Sequence, residues 1–168
     1  MKNTTIILLG NQDISSSLDY KVLITLPDSN KKNDDIIFSE SFEATSYLKL
    51  INERIDSEFI LLQVKPGKVV IDNEQLEEWT AKTKNEGSSL SYSFYNEIID
   101  GKKKNHPLTE YTDGSIRDDF NFGPLILFKT KDLTDYLKDN KSNYQFAGLY
   151  DFRLYLSRKG TISLIDSY

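Results

Sequence analysis

The sequence predicts an α/β fold, a three-layer sandwich around a mainly parallel, mixed sheet. Three observations carry this expectation. Short apolar runs alternate with segments of helical period from one end of the chain to the other. Two of the runs, Thr5–Leu9 and Phe59–Val64, are almost continuously apolar, as strands covered on both faces are. The chain has 168 residues, enough for one proper core and too few for two, so residues 1–168 read as a single domain.

The elements follow in order. Thr5–Leu9 reads as the first strand, Lys21–Leu26 as a second ending at Pro27-Asp28-Ser29, and Asp35–Phe38 as a short third. Ala44, Tyr47, Leu48, Ile51 and Ile55 fall on one stripe at the 3.6 period, an amphipathic helix. Phe59–Val64 is the buried strand; Pro66-Gly67 breaks it, and Val69–Ile71 is expected to extend the sheet. Asn73 is expected to cap a helix reaching Asn85, with Glu74, Glu77 and Glu78 near its positive end.

Ser89–Ile99 alternates and is rich in aromatics, which predicts one strand running into an Asp100-Gly101 turn. The basic run Lys102–Lys104 then reads as a hairpin tip. Lys102–Asn121 shows no period and is expected to be a functional loop or lid. Leu125–Phe128 is a strand, Asp132–Asp139 and Gln145–Arg158 are short helices, and Gly160 stops the second of them before a closing strand, Ile162–Ile165. Because Tyr168 follows that strand with no polar tail, the chain is expected to be a fragment of a longer protein.

Composition narrows the function classes. With a net charge of −5, the chain lacks the clustered Lys and Arg that phosphate-backbone binding requires, so nucleic acid is not an expected partner. Without cysteine there is no disulfide framework, thiolate metal site or Cys nucleophile. No apolar run approaches the ~20 residues that span a bilayer, and the apolar stretch in MKNTTIILLG is too short for a secretion signal. A cytoplasmic location is the expectation, with any peripheral membrane association left to regions outside this chain. Ten Tyr and nine Phe are many for this length; most fill the sheet, and any that are exposed suit sugar rings.

Missing motifs narrow them further. Neither GxGxxG nor GxxxxGK[ST] occurs, GxSxG is absent, and the single histidine, His106, is expected in an exposed loop. What remain are carboxylates. Asp28 follows a strand and a Pro, placed to accept hydrogen bonds from a base or sugar, and Asp151 lies on the helix Gln145–Arg158. The stretch Gly114–Phe128, GSIRDDFNFGPLILF, sets Arg117, Asp118 and Asp119 at the lip of a strand, where α/β folds keep ligand clefts.

Three segments carry a family resemblance: EATSYLKLINERIDSEFILLQVKPG (43–67), SYSFYNEIIDGKKKNHPLTEYTDGSIRDDFNFGPLILF (91–128) and YQFAGLYDFRLYLSRKGTISLID (144–166). Together, and in this order, they resemble the family-2 glycosyltransferases of the GT-A fold, in particular a Bacteroidetes-type branch. The resemblance implies transfer of a sugar from a nucleotide-sugar donor to a glycan or lipid-linked acceptor. It implies Asp119 or Asp151 as the acceptor base, Arg117 and Asp118 as substrate contacts, and Asp28 as a donor contact.

The departures are specific. The family's Asp-x-Asp, which holds Mg²⁺ or Mn²⁺, is replaced by Leu62-Gln63-Val64-Lys65, so no metal ligand is assigned and Lys65 is the candidate for supplying positive charge to a donor diphosphate. Counted back from Gly160, the family's Glu-Asp pair falls on Gly148-Leu149, and Asp151 matches a later acid. The alternative expectation is a catalytically degenerate GT-A domain kept for glycan binding or protein assembly. A nucleotidyltransferase ranks last, because its Gly-rich triphosphate loop is missing.

Overall fold

A computed structural model of the chain describes residues 4–10, 20–26, 36–39, 41–114 and 120–166. The order is β1 (Thr4–Leu9), β2 (Lys21–Leu26), β3 (Ile36–Phe38), α1 (Thr45–Asn52), β4 (Phe59–Gln63), α2 (Asn73–Asn85), β5 (Leu90–Ser93), β6 (Tyr95–Ile99), β7 (Lys102–His106), β8 (Leu125–Lys129), α3 (Thr130–Asp139), α4 (Gly148–Lys159) and β9 (Ile162–Ile165). Seven strands form one sheet in the order β3-β2-β1-β4-β8-β5-β9. Pairing is parallel for β3-β2, β2-β1, β1-β4 and β5-β9, whereas β8 runs antiparallel to both β4 and β5. The result is a mixed α/β sandwich with a single reversed strand.

Strand alternation sorts the core into two layers. From β1 and β4, Ile7, Leu9, Ile60 and Leu62 join the side chains of α1, α3 and α4: Tyr47, Leu48, Ile51, Leu133, Tyr136, Phe152 and Leu156. The intervening residues Ile6, Leu8, Phe59 and Leu61 turn to the other face and meet Leu76 and Trp79 of α2. Both strands are therefore buried along their whole length, which is why neither shows a polar face in the sequence. Under α2, Trp79 Nε1 donates to Ser91 Oγ at 2.8 Å, and Thr83 Oγ1 lies 2.6 Å from the same oxygen, so these three buried side chains satisfy one another. Among the described residues no helix is long and apolar enough to cross a membrane.

Several local expectations are corrected. Val69–Ile71 forms no strand, because both edges of β4 are already taken by β1 and β8. Val69 and Ile71 instead rest on the α2-side core while Val70 is exposed. The cap of α2 is Asp72, whose carboxylate accepts from Gln75 N at 3.0 Å, with Asn73 as the first helical residue. The predicted strand Ser89–Ile99 is two strands. The first, β5, stays in the sheet, and β6 leaves it after Phe94 to pair with β7.

The segment after Ile99 is accordingly a hairpin before it is a loop. Asp100 and Gly101 take φ of 50° and 73°, the positive values a tight two-residue turn needs, and Lys102–Lys104 lie on the returning strand. His106 ends that strand, stacked on Tyr95 with ring centroids 4.8 Å apart and 2.9 Å from Glu97. Helices α3 and α4 begin at Thr130 and Gly148, two residues before and three after the expected starts.

Candidate functional site

The connections fix where a ligand cleft can form. From β1 the chain moves to β2 and β3 on one side, then crosses through α1 to β4 on the other side of β1. This is a topological switch point, and open α/β sheets bind ligands outside the carboxyl ends of their strands at such a point. Leu9 and Gly10 close β1 there, Gln63 closes β4, and Lys65 follows. Because β8 is reversed, its first residues and the segment before it return to this same end, where Val64 N donates to Pro124 O at 2.8 Å.

Gln63 stitches the two central strands. Its Oε1 accepts from Leu9 N at 2.9 Å, and its Nε2 donates to Lys65 O at 2.6 Å and Gly67 O at 2.9 Å. The side chain is buried, so these bonds satisfy an amide that would otherwise cost roughly 1–3 kcal/mol. Lys65 itself is exposed, and its Nζ donates to Asn121 Oδ1 at 2.6 Å. Asn121 Oδ1 also accepts from Gly123 N at 3.0 Å, which shapes the approach to β8.

An aromatic cluster holds that approach against the sheet. The ring of buried Phe122 stands edge-on to Tyr92 at 5.1 Å and lies 4.6 Å from Phe120, which meets Tyr111 at 5.8 Å. Tyr92 OH donates to Thr109 O at 2.7 Å, and burial pushes the phenol up to about 12. On the other side of Phe122 lies α4: the Arg153 guanidinium sits 5.4 Å from the Phe122 ring and 6.0 Å from that of Tyr150, cation–π distances.

Arg153 and Tyr150 line a cavity of about 680 Å³ together with Glu43, Phe146, Ala147 and Leu149. That volume lies in the roughly 300–1,000 Å³ range of small-molecule sites. The walls are pinned by backbone: Leu149 N donates to Glu43 O at 2.9 Å, Thr45 N to Tyr144 O at 2.9 Å, and Tyr144 N to Thr45 Oγ1 at 3.0 Å. Phe146 is 70% exposed and Tyr144 39%, so two aromatic faces are open to solvent beside the cavity. Lys65, Asn121, Phe122, Arg153 and the cavity thus form one continuous edge at the carboxyl end of the sheet.

The residues expected from the sequence are placed as follows. Asp28, Arg117, Asp118 and Asp119 lie outside the described residues. Lys65 stands at the end of β4, beside the switch point. Asp151 turns away from the cavity toward α3, where its Oδ2 accepts from Tyr136 OH and from Asn140 Nδ2, both at 2.9 Å. Burial, then the neighbouring Asp151 carboxylate, raise the Tyr136 phenol well above its ordinary value. Leu149, Tyr150 and Arg153 share the cavity face of α4, and the helical period sets Asp151 on the far side of it.

A divalent cation does not fit the end of β4. Gln63 has its one oxygen on Leu9 N and its nitrogen on two carbonyls, and Lys65 brings a positive charge. Among the described residues no group of three His, Asp or Glu could hold a metal ion.

Sequence reasoning missed Glu43, Phe146 and Tyr150. Glu43 precedes its helix without the spacing of a capping box, and only the contact between α1 and α4 brings it to the cavity. The sequence carried no clear signal for them: Phe146 falls inside the expected helix Gln145–Arg158, and only the later start of α4 at Gly148 leaves it ahead of the helix and exposed. No protein-family model matches the chain. No curated protein matches it significantly in sequence.

Proposed function

We propose that this chain is a glycosyltransferase-like domain of the GT-A kind, which moves a sugar from a nucleotide-sugar donor to a glycan or lipid-linked acceptor. The observation that supports the reading is the sheet. It is mainly parallel with one reversed strand, its buried β4 ends at the switch point, and α4 leads through Gly160 into the strand β9. A helix leading into a buried strand and a helix ending at Gly before a strand are what the resemblance expects of segments 43–67 and 144–166.

In this reading the donor lies over the ends of β1 and β4, near Lys65, with Asp28, Arg117 and Asp118 as further contacts. The acceptor lies in the cavity between the start of α1 and α4. Deprotonating an acceptor hydroxyl needs a carboxylate within reach. Glu43 is the described carboxylate that faces the cavity, and Asp119 is the candidate that the resemblance supplies. The exposed rings of Phe146 and Tyr144 suit the apolar faces of a sugar.

Calorimetric titration with UDP- and GDP-sugars, with and without Mn²⁺, tests the proposal. Binding of at least one donor is expected, and failure of every nucleotide to bind the intact protein would sink it.

Two observations favour a second reading, a catalytically degenerate GT-A domain kept for glycan binding. Gln63 is committed to a structural clip where a metal ligand is expected, and Gly148 is held against the backbone of α1 where the first acid of a Glu-Asp pair is expected. A glycan array separates the readings, since a binding domain retains sugars with no nucleotide present.

A further inference from the structure

We propose that Lys65 supplies the positive charge that holds the donor's diphosphate, so that the nucleotide binds this chain without a divalent cation. The inference rests on the glycosyltransferase-like reading above and specifies how its donor site works.

Three features of the β4 end carry it. First, Gln63 cannot serve as a ligand for a hard cation. Such ions take carboxylate, carbonyl and water oxygens, and the only side-chain oxygen of Gln63 is buried on Leu9 N. Second, the same side chain fixes the backbone on which Lys65 sits, through the bonds from Nε2 to Lys65 O and Gly67 O. The ammonium is anchored in turn to Asn121 at 2.6 Å, so the charge is held in place before any ligand arrives.

Third, the anchor is neutral. Elsewhere fixed lysines are matched by acids: Lys159 lies 2.9 Å from both Asp132 and Asp135, Lys131 2.6 Å from Asp135, Lys82 2.9 Å from Glu78 and Lys84 3.0 Å from Glu58. Lys65 makes no ion pair among the described residues and donates to an amide oxygen. Among the described residues no carboxylate cancels its charge, and two of its three N–H donors take no partner there and are available to phosphate oxygens. A cation of this kind, at the carboxyl end of a central strand beside a switch point, does the electrostatic work that a metal ion does for a leaving diphosphate.

Calorimetry with UDP, GDP and inorganic pyrophosphate, each in EDTA and in Mn²⁺, tests the proposal on wild type, Lys65→Met and Lys65→Arg. Circular dichroism confirms that the variants fold; Lys65 is exposed, so both should. At least one nucleoside diphosphate is expected to bind in EDTA within about twofold of its affinity in Mn²⁺. Lys65→Met should weaken it by about tenfold, the equivalent of one charge-assisted contact, and Lys65→Arg should retain most of it. Pyrophosphate sharing the Lys65 dependence would locate the contact on the phosphates, whereas a nucleotide unaffected by Lys65→Met would overturn the proposal. Binding that requires Mn²⁺ would also overturn it while leaving the glycosyltransferase-like reading intact. No binding under either condition would remove both.

Discussion

Gly148, the first residue of α4, lies so close to the start of α1 that a Cβ placed on it would stand 2.7 Å from the Ala44 carbonyl carbon, 2.8 Å from Thr45 Cα and nearer still to Thr45 N. All three are backbone atoms, which cannot rotate aside. Gly148→Ala is therefore expected to lower stability by about 2–3 kcal/mol, at the upper end of overpacking costs, as read from urea unfolding. Gly148→Glu, which places an acid where the resemblance expects one, is expected to cost at least as much and to gain no activity. A Gly148→Ala protein as stable as wild type would mean that α1 and α4 are not in this contact.

Gln63 makes three side-chain bonds, one joining β4 to β1 at Leu9 N and two closing the turn after β4 at Lys65 O and Gly67 O. Gln63→Leu removes all of them at similar volume. The expected loss is roughly 1–3 kcal/mol, the cost of removing the buried bond to Leu9 N and the two part-buried bonds to Lys65 O and Gly67 O, measurable as a lower urea midpoint at unchanged slope. Gln63→Glu should be worse at pH 7, because a carboxylate oxygen would face the carbonyls of Lys65 and Gly67. It should recover part of that loss at pH 4, where a protonated acid can donate one bond. Equal unfolding midpoints for the Leu and Glu variants at pH 7 would rule out this geometry.

What was legible in the sequence is what periodicity encodes. β1 and β4 were read within a residue because burial on both faces leaves an unbroken apolar run; the stripe of α1 was read from its regular period but carried too far, to Ile55, where the helix ends at Asn52. The β6–β7 hairpin was read in part: the Asp100-Gly101 turn is local chemistry, but KKKNH has no strand propensity and pairs only because the turn returns it to β6. Gln63 looked like a missing ligand, and its role as a clip depends on Leu9, 54 residues away. Asp151 looked like a candidate base, and its partners Tyr136 and Asn140 come from a helix whose packing angle no local pattern encodes. Glu43 was invisible for the same reason: α4 has to dock before it lines anything.

Asp135 carries the clearest pH dependence. Bonds from Lys131 and Lys159 hold its carboxyl down to about 2, below the ordinary 3.8. A depressed carboxylate contributes stability that is fully present above its unfolded value and lost as pH falls through the folded one. The wild-type advantage over Asp135→Asn should thus be constant from pH 7 to about 5 and shrink between about 4 and 2. Denaturant midpoints at several pH values read this directly. An advantage that persists unchanged at pH 2 would show that the two lysines do not hold this carboxylate.

Glu43 and Asp151 should separate by kind of effect. Asp151 orders Tyr136 and Asn140 between α3 and α4, so Asp151→Ala is expected to cost about 1–3 kcal/mol of stability. Glu43 is exposed and binds its neighbours through backbone, so Glu43→Gln should stay within about 0.5 kcal/mol of wild type. If acceptor sugars enter the cavity, Glu43→Gln and Tyr150→Ala lower glycan retention or transfer while the fold is kept. Asp151→Asn, which preserves an acceptor oxygen for Tyr136, should leave retention unchanged. Loss of transfer in Asp151→Asn at native stability, with Glu43→Gln fully active, would reverse the assignment and return the acceptor base to α4.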